Sequence, residues 1–527
     1  MKIESVNNLE KMIQRTRRNT LGDLLTRTVA RYPDKLAFVY RDRQVTYREL
    51  DELVNKTANG LRNRGIKKGD RLAIFSKNSL DFVIVEFALA RLGAVLIPIN
   101  FMLRGNDISY ILDHAEAIGI FTEEPLIETI ENAISELNIP HRFVLECESD
   151  ISNTNWKSVR DLQKDSSAEM VEETIEDDDL VHILYTSGTE SNPKGVMLSH
   201  KSIISEYVSC VIEGNMSPDD VLVHALPFYH SAQLHVFLGP SIYLGASGII
   251  LDEANPKIIM ETIEKHKANS LFAPPTVWIA LLRHPDFDSH DLSTLEKCYY
   301  GAAIMPREII LELTDRLPNA RLYNFYGQTE VAPLATALKP EDQLRKLGSA
   351  GKPSLHVETK IVDDDGNEVP RGEIGEIVHR TPHAMLGYLK APEQTAEAFK
   401  GGWFHSGDLG IMDEEGYITV VDRKKDIIIS GGVNVASREV EEVIYKMDEV
   451  AEVAVIGIPD DYWIEKITAI IIPKDSKALT EEQVIEFCEK ELPKFKVPKQ
   501  VYFTETLPKN PSGKVLKKDL REMYKNK

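Results

Sequence analysis

The sequence has little cysteine, no excess of basic charge and no long apolar run, and each shortage closes off a class of protein. Its four cysteines, Cys147, Cys210, Cys298 and Cys488, lie far apart and form no CxxC pair. That spacing excludes a disulfide framework and a cysteine-based zinc site, and fits a reducing compartment. Acidic residues number 83 against 62 basic ones, leaving a net charge of −21. Such a balance argues against a nucleic-acid-binding surface and against docking on anionic lipid. The N-terminal twenty residues are charged throughout and lack the apolar centre of a signal peptide. No uninterrupted apolar run approaches the roughly 20 residues that span a bilayer, so a cytoplasmic location is the simplest expectation. No internal repeat or low-complexity tract is present.

What is there is a long chain of ordinary composition. At 527 residues it exceeds what one core holds, so two or more domains are expected. Over the first 180 residues helical and strand patterns alternate. Thr46-Tyr47-Arg48-Glu49 is a capping box, and Leu50, Leu53, Val54, Thr57 and Leu61 then mark one helical face. Residues 71–75 and 93–100 read as short buried strands. This alternation predicts a layered α/β architecture with largely parallel sheets. Residues 166–179 are acidic and polar, a candidate flexible approach to the segment that follows. From about 345 to 422 glycines recur between short apolar runs, predicting a small barrel-like β subdomain. The last hundred residues read as a separate small α+β domain.

Several segments carry polar chemistry. In YTSGTESNPKGVMLSH, residues 185–200, a buried strand runs into a loop of hydroxyls, small residues and one lysine, a set suited to a polyphosphate tail. It is not a Walker loop, because Pro193 precedes Lys194 and Gly195 follows it. RLYNFYGQTE, residues 321–330, supplies an aromatic that can stack on a purine (Tyr326), a glycine allowing close approach (Gly327), a hydroxyl (Thr329) and a carboxylate able to hold a hard cation (Glu330). YGAAIMP, residues 300–306, offers small residues where a flat base can lie against backbone. GWFHSGD ends in Asp408, placed to accept from vicinal ribose hydroxyls, and LPKNPSGK sets Lys514 after a turn. Taken alone, each has a bland alternative: a surface turn, a capped strand end, backbone packing, an exposed turn aspartate, a solvated lysine.

Together, in order and spacing, these segments resemble the adenylate-forming superfamily, which includes acyl-CoA synthetases, firefly luciferase and the adenylation domains of peptide synthetases. The resemblance runs from about Leu24 to Arg521 through YTSGT…PKGV, PFYH ending at His230, YGQTE, residues 372–377, WFHSGD, DRKKDIIISGG and PSGK. It implies an α/β fold. A large multi-layer N-terminal domain, residues 1–422, would hold the α/β sheets and the β subdomain. A hinge at 423–426 would join it to a small mobile α+β domain, residues 427–527. The implied reaction is attack of a carboxylate on the α-phosphate of ATP, giving acyl-adenylate and pyrophosphate, then displacement of AMP by a thiol. Repulsion between two unit charges about 4 Å apart is roughly 4 kcal/mol at an effective dielectric of about 20, so cations and donors must stand ready.

By the same resemblance, Thr186, Ser187, Gly188, Thr189 and Lys194 hold the β- and γ-phosphates, and Lys514 bridges the carboxylate and the α-phosphate. Glu330, with Thr186, holds Mg²⁺, and Thr329 meets a phosphate oxygen. Gly301, Ala302 and Ala303 with Asn324, Phe325, Tyr326 and Gly327 frame the adenine, and Asp408 and Arg423 take the ribose. The pivot corresponds to Lys425; rotation there withdraws Lys514 and brings Ser430, Gly431 and Gly432 to the pantetheine arm of CoA. His230 is expected beside the acyl and thiol path, as a gate or an aid to thiol deprotonation, with a packed hydrogen-bonded histidine as the alternative.

Two departures stand out: Glu190-Ser191, where Thr-Gly is usual, and Ile464, where glycine is common. The first predicts slower pyrophosphate chemistry, and the second bears on CoA contacts. Relatives that activate amino acids carry an aspartate after the Pro-Phe segment. Residues 225–251 contain no Asp or Glu, so an α-amino acid is not expected. The chain ends at Lys527 without a carrier domain, which makes free CoA the expected acceptor. The expected substrate is a medium- or long-chain fatty acid, with an aryl or short branched acid as the nearest alternative. A nucleotide-binding homologue without turnover is the rival from another class, disfavoured by Lys514, Glu330 and Asp408. No nucleic acid or membrane partner is expected, and a homodimer is left open.

Overall fold

The computed structural model describes residues 3–147, 149, 151, 154–186, 193–303, 305–430, 433–460, 462–474, 479–509 and 515–525. Among them, two large sheets and two small ones carry the fold. The first large sheet runs from edge to edge through Lys352–Pro353, Leu334–Leu338, Arg321–Gly327, Lys297–Gly301, Ser270–Phe272, Val221–His224, Ser247–Ile250, Leu36–Tyr40 and Arg43–Thr46. Its five central pairings are parallel and its edges antiparallel. The second runs through Gly387–Tyr388, Lys194–Ser199, Leu180–Thr186, Val95–Ile99, Arg71–Phe75, Gly119–Glu123, His141–Leu145 and Lys157–Ser158. Parallel pairing from Leu180 onward matches the helix–strand alternation read in the sequence.

Helices fill the space around these sheets. Leu80–Leu92 is buried on every side, as its largely apolar composition requires, and it starts at the Ser79 cap and stops at Gly93, where φ is 67°. Tyr47–Arg62 begins with the anticipated capping box, Thr46 and Glu49 each bonding the other's backbone. The region 345–422 takes the form of a four-stranded antiparallel sheet, Glu358–Val362, Gly375–Arg380, Phe404–Met412 and Ile418–Arg423.

Residues 166–179 differ from the expected flexible tether. Val171 and Ile175 are buried, Asn59 donates to the Ser167 and Glu169 carbonyls, and Lys68 pairs with Asp179 at 2.6 Å. Two apolar residues four apart staple an otherwise acidic strap to the core.

The C-terminal part has its own sheet, with Val433–Val435, Ile428–Ser430, Ile464–Pro473 and Val450–Asp460 antiparallel and Gln500–Phe503 added in parallel. A separate hydrophobic cluster underlies it, built from Ile428, Val440, Ile444, Val455, Ile467 and Val484 among others. A large N-terminal and a small C-terminal α/β unit are thus both present.

Candidate active site

The strands Leu180–Thr186 and Lys194–Ser199 form an antiparallel hairpin whose last pair is Thr186 opposite Lys194. The chain reversal therefore sets a hydroxyl and an ammonium side by side at the mouth of the expected phosphate loop. Ser187, Gly188, Thr189, Glu190 and Ser191 lie outside the described residues. Tyr185 anchors the strand by meeting His114 Nδ1 at 2.7 Å.

Lys194 Nζ stands 5.1 Å from the centre of the Tyr388 ring, and the Tyr388 hydroxyl donates to Glu330 Oε1 at 2.9 Å. Tyr388 reaches this place because Gly387–Tyr388 pairs with Lys194–Ser199 at the sheet edge. Burial pushes the Glu330 carboxyl above its ordinary range, while the Tyr388 hydrogen bond and the charges of Arg423 and Lys194 oppose that shift. Phosphate, hydroxyl and carboxylate oxygens are what Mg²⁺ prefers, and it is commonly held by one or two carboxylates plus substrate phosphates. Glu330 and Thr186 fit that description. Thr329 opens the short helix after the strand and lies 3.0 Å from Ser231 Oγ.

Asp408 and Arg423 are neighbours across the strand pair Phe404–Met412 and Ile418–Arg423. Arg423 Nε lies 3.2 Å from Asp408 Oδ1, and the Tyr326 hydroxyl donates to Asp408 Oδ2 at 2.7 Å. Three residues expected around the nucleoside are thus joined directly. Gly301 ends a strand and is buried, and a Cβ there would meet Phe325 O at 2.3 Å, so this glycine is required by strand packing itself. Ala302 and Ala303 beyond it are exposed, leaving backbone open to a flat ring. At Gly327 a Cβ would collide with Pro333 O at 1.7 Å. Asn324 is spoken for by the Ser349 carbonyl at 2.9 Å. The Phe325 side chain is buried against Phe237 and Tyr299, so its expected part in the adenine frame falls to its backbone.

Beside the exposed alanines lies a partly open cleft, lined by Leu226, Pro227, Tyr229, His230, Ala232, Gln233, Phe272, Pro274 and Ala302. His230 caps the helix that follows, its Nδ1 accepting from Ala232 N at 3.2 Å. Lining residues at 226–233 come from the turn after Val221–His224 and the short helix Ser231–Gln233 that follows it, and Phe272 and Ala302 from the ends of two neighbouring parallel strands. The site thus forms at the carboxyl ends of parallel strands, where α/β sheets commonly bind ligands.

At the expected pivot, Lys424 binds Asp364 at 2.8 Å and Glu376 at 3.4 Å on the four-stranded sheet. Asp426 binds Arg521 of the last helix at 2.7 Å. Lys425 between them is exposed. Ser430 is buried with its hydroxyl unpartnered. Gly431, Gly432 and Lys514 lie outside the described residues. Sequence reasoning missed Tyr388, Ser231, Tyr229 and Gln233. Only the last three sat near a recognised motif, and nothing in the sequence marked Tyr388.

These features fit an adenylate-forming ligase site, with the apolar cleft reaching Ala302 beside the expected adenine position. A model of the AMP-binding enzyme family matches residues 25–389, and one of the AMP-binding enzyme C-terminal domain matches 439–514. The chain belongs to the AMP-binding enzyme family, in its acyl-CoA synthetase branch, and is an acid–thiol ligase. It is 34% identical to the feruloyl-CoA synthase of Amycolatopsis sp, over 96% of this chain and 100% of that one. It is 31% identical to the long-chain-fatty-acid–CoA ligase of Escherichia coli, over 97% and 96%. ATP-bound MatB from Rhodopseudomonas palustris superposes with a TM-score of 0.88 at 30% identity, covering 96% of this chain and 99% of that one.

Proposed function

We propose that this ligase converts an apolar carboxylic acid to its CoA thioester through an acyl-adenylate, using ATP and Mg²⁺. The observation that carries this reading is the shared wall: Ala302 lines the apolar cleft and also borders the expected adenine position. An acid seated in the cleft would present its carboxylate toward the nucleotide, which is the positioning that adenylation needs.

In this reading Thr186, Lys194 and the loop between them hold the phosphate tail. Glu330, kept in place by Tyr388, and Thr186 hold Mg²⁺, which would neutralise phosphate charge. Asp408, ordered by Tyr326 and Arg423, takes the ribose hydroxyls, and Thr329 sits beside Ser231 at the junction with the acid cleft. Lys514 delivers the charge that lets carboxylate meet phosphate. The small domain from 427 onward then turns about Lys425, so that Ser430, Gly431 and Gly432 meet the pantetheine arm. The ion pairs support such a pivot: Lys424 is tied to one unit and Asp426 to the other.

Relatives named for feruloyl, indoleacetyl and long-chain fatty acyl groups lie at similar identity, so likeness alone does not choose the acid. Acid-dependent exchange of pyrophosphate into ATP tests the reading. Exchange with an apolar acid supports it, and no exchange with any carboxylic acid favours a nucleotide-binding homologue.

A further inference from the structure

The residues that line the cleft are not all apolar. Gln233 is 1% exposed, yet only its Nε2 is engaged, 2.9 Å from His224 Nδ1. Its Oε1 has no partner among the described residues, and neither does the equally hidden hydroxyl of Tyr229. Both residues line the same cleft. Burial pushes the Tyr229 hydroxyl far above its ordinary range, so it remains a donor at any working pH.

An unpaired buried polar group costs about 1–3 kcal/mol. Two in one substrate cleft make that cleft costly when it is filled by hydrocarbon alone. The cost disappears if the occupant brings a group that pairs with both. A hydroxyl does so for either orientation of the Gln233 amide, since it donates to a carbonyl oxygen and accepts from an NH₂. It also accepts from, or donates to, the phenol of Tyr229.

The floor of the cleft limits what can carry that hydroxyl. Phe272 stacks on Phe237 with ring centres 4.4 Å apart and 16° between planes. Phe237 packs in turn on Tyr299 at 5.0 Å. Tyr299 is locked by donating to Gly214 O at 2.7 Å and by accepting, through its carbonyl, from Trp278 Nε1 at 3.1 Å. A pinned aromatic layer therefore backs the cleft, with a flat face at Phe272 that suits a ring.

We propose that the acid is a hydroxylated aryl acid, and that Tyr229 and Gln233 select it by hydrogen-bonding its ring hydroxyl. This rests on the acid–CoA ligase reading and narrows it to one chemical class. The hydroxyl takes no part in bond making; the carboxylate alone reacts. Sites built to bond a substrate hydroxyl reject the analogue lacking it more strongly than apolar pockets reject an extra methylene.

The test compares kcat/KM for pairs differing only in the hydroxyl: 4-hydroxycinnamate against cinnamate and 4-hydroxyphenylacetate against phenylacetate, with octanoate and palmitate alongside. CoA-dependent AMP release is the readout. The wild type should favour a hydroxylated member by about tenfold or more. Tyr229→Phe and Gln233→Met should each pull that ratio toward one. The ratio is internal to each protein, so partial loss of folded enzyme does not alter it. Ratios of one or below in the wild type, unchanged ratios in both variants, or a preference for palmitate would each overturn the proposal while leaving the ligase reading intact. Absence of AMP release with every acid would instead overturn the ligase reading.

Discussion

The Tyr388 hydroxyl donates to Glu330 at 2.9 Å while the Tyr388 ring lies under Lys194 at 5.1 Å. One tyrosine thus connects the carboxylate expected to hold the metal with the cation expected to hold phosphate. It orients a buried acid and gives the ammonium an aromatic face to rest on.

Replacing Tyr388 by Phe keeps the ring and removes the hydrogen bond. Bonds to charged groups are worth about 1.5–3 kcal/mol, so KM for Mg–ATP should rise about tenfold, with the rise reduced at high Mg²⁺. Pyrophosphate exchange across a Mg²⁺ titration measures this. An unchanged KM would mean that Glu330 is oriented by something else.

Glu86 lies in the core on the wholly buried helix, 3.8 Å from His182 Nε2. Next to it His182 Nδ1 and His235 Nε2 are 2.9 Å apart. Burial holds both imidazoles neutral and pushes the Glu86 carboxyl up to about 8. The unfolded chain releases that proton near about 4.3, so between these values the folded state binds one proton more. Stability from this group is complete below the lower value and is lost as pH rises through the upper one. The loss is on the order of 3 kcal/mol between pH 5 and 8. Glu86→Gln should therefore gain on the wild type as pH rises, seen as urea midpoints that diverge between pH 5.5 and 8. Parallel curves would contradict it.

Ile464 carries φ of 70° and is 58% exposed. A β-branched residue in the left-handed region is strained by roughly 1–2 kcal/mol, part of which glycine's greater freedom in the unfolded chain offsets. Ile464→Gly should stabilise the C-terminal unit by about 1 kcal/mol, read as a higher melting transition. A lower transition would show that the isoleucine side chain contributes more than its backbone costs.

The sequence made the layered fold legible because strand and helix patterns depend on local periodicity. It marked Ile464 only as a departure from the family's usual glycine; the positive φ there supplies the backbone reason. Asp408 and Arg423 were legible only as a family pattern; their contact comes from strand register, which neighbouring residues do not reveal. Tyr388 was invisible for the same reason: its place over Lys194 follows from edge-strand pairing between segments almost 200 residues apart. The docking of residues 166–179 had a signal, Val171 and Ile175, outweighed by the acidic residues around them. Tyr229 and Gln233 look like ordinary polar residues near PFYH until burial shows what they lack.

The most direct test of the whole account is a product balance: incubate the protein with ATP, Mg²⁺, CoA and 4-hydroxycinnamate, and quantify nucleotides and thioester together. The account predicts AMP and acyl-CoA in equal amounts, both requiring the acid and pyrophosphate accompanying them. ADP with phosphate as the nucleotide product, or AMP formed without any thioester, would contradict it.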